Sequence, residues 1–121
     1  MNRKLRLAII WIIGIIIFII LFKFIFFPAY ISTIASCSPE TFEKYSDDYY
    51  IAGQVSFEPM DNGETNITIE LVDQDIPTLK HEQCHVKQFE RGMLASCKVP
   101  YFVFINEVEC YTIQRLYEIF Y

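Results

Sequence analysis

The chain has 121 residues and a formal net charge of −5, ten Lys and Arg standing against fifteen Asp and Glu. That length suits a single domain. An acidic balance with no basic stripe argues against nucleic acid and against charge-driven adhesion to anionic lipid.

From Leu7 to Phe27 the sequence reads LAIIWIIGIIIFIILFKFIFF, with Lys23 its sole charge. An apolar run of about twenty residues spans a bilayer core as a helix. Lys23, near the distal end, can reach the headgroups. Arg3, Lys4 and Arg6 precede the run. The positive-inside rule then keeps the N-terminus cytoplasmic and carries everything after Pro28 across. Residues 1–27 therefore read as a basic tip and a transmembrane anchor. A cleaved signal peptide would show a shorter apolar region, about 7–15 residues, ending at a small-residue site. No Ala-x-Ala follows here, and an uncleaved anchor is expected. Ile34-Ala35-Ser36-Cys37 looks like a bacterial lipoprotein box, but it sits well past the apolar run. From Pro28 onward six basic residues face fifteen acidic ones, a net of −9.

Residues 28–48 read as a tether and a short helix. Ser38 is a helix N-cap with Pro39 in the first turn and Glu40 after it, predicting a helix to about Tyr45 that Ser46-Asp47-Asp48 ends. Residues 49–121 form the main domain. Tyr49 to Phe57 alternates, with Tyr49, Ile51, Gly53, Val55 and Phe57 on one face, the period of a half-buried strand. Asp61-Asn62-Gly63 signals a turn. Ile67, Ile69 and Leu71 then alternate with polar residues, so a second strand pairs back as a hairpin. Asp73 to Pro77 breaks that strand and starts a helix running to Arg91 and stopping at Gly92. Pro100 opens a last, aromatic-rich helix of about twenty residues. The class is α+β: a membrane helix, then a β-hairpin or small sheet with two main helices packed on it.

The central helix carries His81-Glu82-Gln83-Cys84-His85, and these are the only two histidines. Four residues apart on a helix, two imidazoles lie on one face and aim at one point, two legs of a tetrahedral zinc site. Glu82 is then placed beside the metal without ligating it, where a general base stands. A third protein ligand is needed. Asn106-Glu107-Val108-Glu109-Cys110-Tyr111 offers two carboxylates at the apolar start of the last helix, Glu107 and, as the reserve, Glu109.

His-Glu-x-x-His followed on a later helix by Asn-Glu resembles the gluzincin metallopeptidases, the thermolysin-like group. His85 to Gln88 together with Glu107 to Tyr111 also looks like small predicted peptidases of that clan. The resemblance covers about Pro77 to Tyr117 and implies a minimal zincin-like fold. Carried over by position, it makes His81, His85 and Glu107 the ligands of Zn2+ and Glu82 the base. The thermolysin-like pattern places an aspartate four residues after the glutamate, to orient a zinc histidine; here that place is Tyr111. Gln88 shares the histidine face and can take over part of that orienting role. Tyr111 and Tyr101 are candidate donors to an oxyanion.

Four cysteines, Cys37, Cys84, Cys97 and Cys110, follow the anchor. On an oxidising side they form one or two disulfides, with three full pairings open. Cys97 with Cys110 would tie the loop after the motif helix to the last helix. Cys84 is expected in a disulfide or as a buried thiol rather than on the metal.

The expected activity is hydrolysis of peptide bonds in a peptide or protein substrate, with Ile67 to Val72 pairing an extended substrate by strand addition. A membrane-tethered zinc-binding or partner-binding domain without turnover is the alternative. A structural membrane protein with an accidental motif is the third reading.

Overall fold

A computed structural model of the chain describes residues 2–43, 51–72 and 74–121. Its elements in order are α1 (Arg3–Leu21), a π-helical turn (Phe22–Phe26), α2 (Phe27–Cys37), α3 (Pro39–Glu43), β1 (Gly53–Pro59), β2 (Thr65–Leu71), α4 (Ile76–Glu90) and α5 (Pro100–Phe120). This is the mixed α+β class: a long apolar helix, a two-stranded antiparallel sheet and further helices.

The first departure from expectation follows the apolar run. Residues 28–37 are not a tether: α1, the π turn and α2 form one helix of 35 residues, Arg3–Cys37. That helix is long and apolar enough to cross a membrane, and none of its most apolar stretch is buried in the protein. A signal sequence near the N-terminus meets the same test. Pro28 lies inside this continuous helix, just after the π-helical turn. There the Phe27 N–H reaches the Phe22 carbonyl five residues back, so the helix is locally widened at the proline. Having no N–H, it leaves the carbonyl of Phe24, four residues back, without its helical donor. Arg115 Nε supplies one at 2.8 Å. A donor 91 positions away along the chain has no local signature.

Past Pro28 the helix is part of the domain. Ala29 is fully buried and Thr33 nearly so, the Thr33 hydroxyl donating back to the Ala29 carbonyl at 2.7 Å. Both lie where α2 packs on α5. Ser32 Oγ and Tyr111 Oη share a hydrogen bond of 2.7 Å across the same contact.

β1 and β2 pair with Gly53 opposite Leu71, Val55 opposite Ile69 and Phe57 opposite Ile67. These residues form one face, as the alternation predicts, and Phe57 stacks on Phe89 of α4 with ring centroids 4.6 Å apart. The expected starts at Tyr49 and Tyr50, the end of the short helix at Lys44 and Tyr45, and the polar stop at Ser46 to Asp48 lie outside the described residues. Gly53 allows β1 close to the first turn of α4: a Cβ there would stand 2.9 Å from Leu71 Cδ2 and 3.0 Å from Thr78 Cγ2.

The disulfides are Cys37–Cys97 and Cys84–Cys110. The pairing of Cys97 with Cys110 is thereby corrected. Cys110 lies on the face of α5 that meets α4, so its neighbour is Cys84, whereas Cys97 lies in the loop that reaches the end of α2. With Cys37 in a disulfide, its thiol is not available for lipid attachment.

The interior is unusual in composition. Among the described residues the buried apolar side chains are Ala29, Cys84, Val103 and Cys110, against seven polar ones: Thr33, Thr78, His81, Glu82, His85, Gln88 and Glu107. So small an apolar core stabilises little, and two disulfides are the usual supplement. Burying five groups that carry charge or an amide is costly unless each is paired or ligating. α4 and α5 thus enclose a cluster of buried, mutually paired polar groups.

Candidate metal centre

α4 starts where Asp75 caps it, its Oδ1 accepting from Thr78 N at 2.9 Å, with Pro77 in the first turn. It ends at Gly92, whose φ of +69° a side chain would oppose. Between these stops His81, Cys84, His85 and Gln88 share one stripe, and all four are buried. α5 lays Val103, Glu107 and Cys110 against it. The Cys84–Cys110 disulfide and an ion pair of Arg91 with Glu109 at 2.8 Å join the helices beside the histidines.

Glu107 bridges the two imidazoles. Its Oε2 lies 3.0 Å from His81 Nε2 and its Oε1 lies 3.1 Å from His85 Nε2. One ligand atom from each of the three residues falls within 4.8 Å of the others, and all three residues are buried. Glu109, the reserve ligand, points elsewhere: it is half exposed and held by Arg91. Two residues along a helix are about 200° apart, which puts it on the far side from Glu107.

Gln88 fixes the form of His85. Its Nε2 donates to the backbone carbonyl of Asn106 at 3.0 Å, an acceptor that cannot reverse its role. Its Oε1 therefore faces His85 Nδ1, 2.9 Å away, and must accept from it. The proton sits on Nδ1 and the lone pair of the neutral ring sits on Nε2, toward Glu107 and His81. Asn106 is in turn held by its side chain, which accepts from Ala95 N at 2.7 Å and donates to Met93 O at 3.3 Å.

His81 is held differently. Tyr111 lays its ring edge-on to the imidazole, centroids 4.3 Å apart. The buried His81 Nδ1 has no hydrogen-bond partner among the described residues. Tyr111, four residues after Glu107, meets His81 by packing and not by hydrogen bonding, and its hydroxyl is engaged with Ser32. Tyr101, in the first turn of α5, is exposed, its ring beside that of Phe102.

The charges respond to this enclosure. Burial raises the Glu107 carboxyl, but hydrogen bonds and charge from both histidines outweigh it and hold the group down at about 2. Burial disfavours a charged His85, yet its bonds to Glu107 and Gln88 carry it up to about 9. Glu82 is raised, burial being the main cause, while the histidines pull it back and Glu107 pushes it further up. Burial also raises the Tyr111 hydroxyl.

No family model, curated protein or solved structure matches the chain. The donor set must therefore be judged by its own geometry. Ligands about 2.0–2.2 Å from a tetrahedral zinc stand roughly 3.3 Å from one another. Each imidazole is near that spacing from one oxygen of Glu107, one ligand atom from each of the three residues lies within 4.8 Å of the others, and the His85 lone pair points inward. A buried group of two imidazoles and one carboxylate fits a divalent ion.

Three contributors escape a sequence reading. Asn106 and Ser32 hold Gln88 and Tyr111 across the packing of separate helices, and Arg115 pins the first helix to α5. Of these only Asn106 has a local signal, its place before the ligand glutamate. The strand expected beside the site is also displaced. β2 lines a groove with Gln83, Val86 and Glu90, on the flank of α4 away from the imidazoles. The strand that meets the first turn of α4 is β1, through Gly53 and Thr78.

Proposed function

We propose that the chain is a membrane-anchored zinc peptidase with a minimal zincin-like domain, hydrolysing peptide bonds of peptide or protein substrates. The single observation that carries this reading is the convergence of His81, His85 and Glu107 with Glu82 buried beside them. A zinc ion held there would supply Lewis acidity and lower the pKa of a water to about 7.

The protein's own groups have distinct tasks. Gln88 holds His85 with its lone pair inward. Glu107 would offset one of the two charges of a divalent cation. Glu82 takes the proton from the attacking water and returns it to the leaving amine. Burial raises its carboxyl above the ordinary carboxylate range, the direction that favours holding the proton between the two transfers. Two disulfides accord with an oxidising compartment, so the domain belongs outside the cytoplasm with residues 7–27 as the span.

One observation favours a second reading, a tethered zinc-binding domain without turnover. His81, Glu82, His85 and Glu107 are each less than a tenth exposed, and the groove along β2 does not reach them. Glu82→Gln separates the two. Under the peptidase reading, the full chain in detergent binds stoichiometric zinc and cleaves a peptide library, whereas Glu82→Gln retains the metal and loses cleavage. Zinc in both forms with cleavage in neither selects the binding role.

A further inference from the structure

Ile119 and Phe120, in the last turn of α5, are each 72% exposed, and Tyr121 beyond them is 90% exposed. Their place relative to the first helix says what covers them. α5 runs antiparallel to that helix: Tyr111 meets Ser32, and one turn on Arg115 meets the Phe24 carbonyl. It packs there against Phe22–Phe26, the distal part of the apolar run. Leu116 to Tyr121 continue past this contact in the direction of the bilayer. At about 1.5 Å per residue, Phe120 lies roughly 7.5 Å beyond Arg115.

The charges at this level suit a lipid boundary. Glu118 is the one acidic side chain in the last six residues, and both its oxygens are 3.0 Å from Arg115 Nη1, so that carboxylate enters the boundary paired. Lys23 lies 5.5 Å from the Phe24 ring centre and Lys80 lies 5.7 Å from that of Tyr117. Cations on apolar stems beside aromatic rings are what the acyl–headgroup boundary collects. Tyr117 and Tyr121 stack on each other at 4.7 Å. The exposed Tyr101 and Phe102 lie at the other end of α5, about 20 Å further out, and do not share this level.

We propose that Leu116–Tyr121 are seated in the acyl–headgroup boundary of the leaflet from which the first helix emerges. Lipid is the occupant because Phe22, Phe24 and Phe26 at the same height are also exposed and continuous with the apolar surface of the span. The inference rests on the first helix being a retained membrane span. It gives the domain a second membrane contact, with the metal centre on the leaflet side: the Tyr111 ring, one turn before Arg115, touches His81. Joined to the proposed hydrolysis, it restricts substrates to chains emerging from that leaflet.

Trp11 is the only tryptophan, which makes the test direct. The full chain is placed in phosphatidylcholine vesicles whose acyl chains carry bromine. Trp11 in the parent reports on the span. In a Trp11→Phe background, Ile119→Trp, Phe120→Trp and Phe102→Trp each carry one reporter, all at exposed positions that folding does not need. Expected is strong quenching by bromine and little by aqueous iodide at 119 and 120, and the reverse at 102. Iodide quenching at 119 and 120 with Trp11 still quenched by bromine overturns the proposal and leaves the peptidase reading untouched. Shielding of 119 and 120 from both quenchers also overturns it, since a protein then covers the face. Loss of bromine quenching at Trp11 removes the span and the proposal with it. None of these readouts needs metal or turnover.

Discussion

Gln88 accepts a hydrogen bond from His85 Nδ1 at 2.9 Å while donating to the Asn106 carbonyl at 3.0 Å, so one buried amide fixes the tautomer of a candidate ligand. Nothing else in the site gives so definite a chemical instruction. The amide is also the largest fully buried side chain among the described residues, which leaves it no freedom to turn.

Gln88→Met keeps the volume and removes both bonds. Loss of an orienting partner usually lowers metal affinity about 10–100-fold, and that is the expected change in a competition titration with a chromophoric chelator. Gln88→Glu restores an acceptor for His85 but faces the Asn106 carbonyl with a second acceptor. It should bind zinc more tightly than Gln88→Met and fold less stably than the parent. Equal affinities for the two variants would remove the tautomer role.

How much of this was legible beforehand depends on how far each partner lies along the chain. His81 and His85 announce themselves because a helix stacks residues four apart. Gln88 follows from the same rule. Glu107 was reachable only because α4 stops at Gly92 and α5 must return antiparallel, which brings the start of α5 to the histidines. Helix faces also distinguish it from Glu109, once the register of α5 on α4 is known. The disulfide pairing needed that register too, and without it Cys97 with Cys110 was a reasonable expectation. The extended first helix was hidden for another reason. A proline after an apolar run reads as a stop, and neither the π-helical turn before it nor the Arg115 contact that tertiary packing supplies has a local signature.

Glu107→Gln keeps the shape but takes away the charge that both imidazoles contact. Zinc affinity should fall by more than the ~10–100-fold attached to an orienting residue. Glu109→Gln removes only a half-exposed pair with Arg91, worth about 0.2–1 kcal/mol of stability, and should leave zinc binding unchanged. Titration of both variants with zinc checks the assignment. A larger loss in Glu109→Gln would reverse it.

Stability of the metal-free protein should depend on pH in a way set by the Glu107–His85 pair. Glu107 is held at about 2 from an ordinary 4.5, so its contribution is present above about 4.5 and is lost as pH falls through about 2. His85 is raised from 6.5 to about 9, so its contribution is complete below about 6.5 and is lost as pH rises through about 9. The pair alone therefore places the highest melting temperature of the chelator-treated protein between about pH 4.5 and 6.5. The raised Glu82 carboxyl, whose contribution is lost as pH rises above 4.5, moves it toward the acid end of that window. A metal needs the neutral imidazole and displaces its proton. The added stability from zinc should grow as pH rises from about 6.5 toward 9. Parallel melts with EDTA and with zinc across this range would show the two curves separating. Curves that stay parallel would mean the metal does not bind through His85.

Arg115 and Pro28 make the last prediction, because one exists at its position to serve a defect the other creates. Proline leaves the Phe24 carbonyl without its helical N–H, and Arg115 Nε covers it. A hydrogen bond from a charged donor contributes about 1.5–3 kcal/mol, and the exposed setting of this one places it at the lower end. Arg115→Met should therefore destabilise the docking of α5 on the first helix by roughly that much. It also removes the Glu118 pair, so the single variant is ambiguous. Pro28→Ala returns a backbone N–H to Phe24, and in that background Arg115→Met should cost clearly less. The double-mutant cycle isolates this coupling, because the Glu118 pair is lost equally on both sides. Amide hydrogen exchange of residues 24–37 in the four proteins measures it. A coupling near zero would mean that Arg115 holds α5 to the first helix through its charge and ring contacts, and that the Phe24 carbonyl finds another donor.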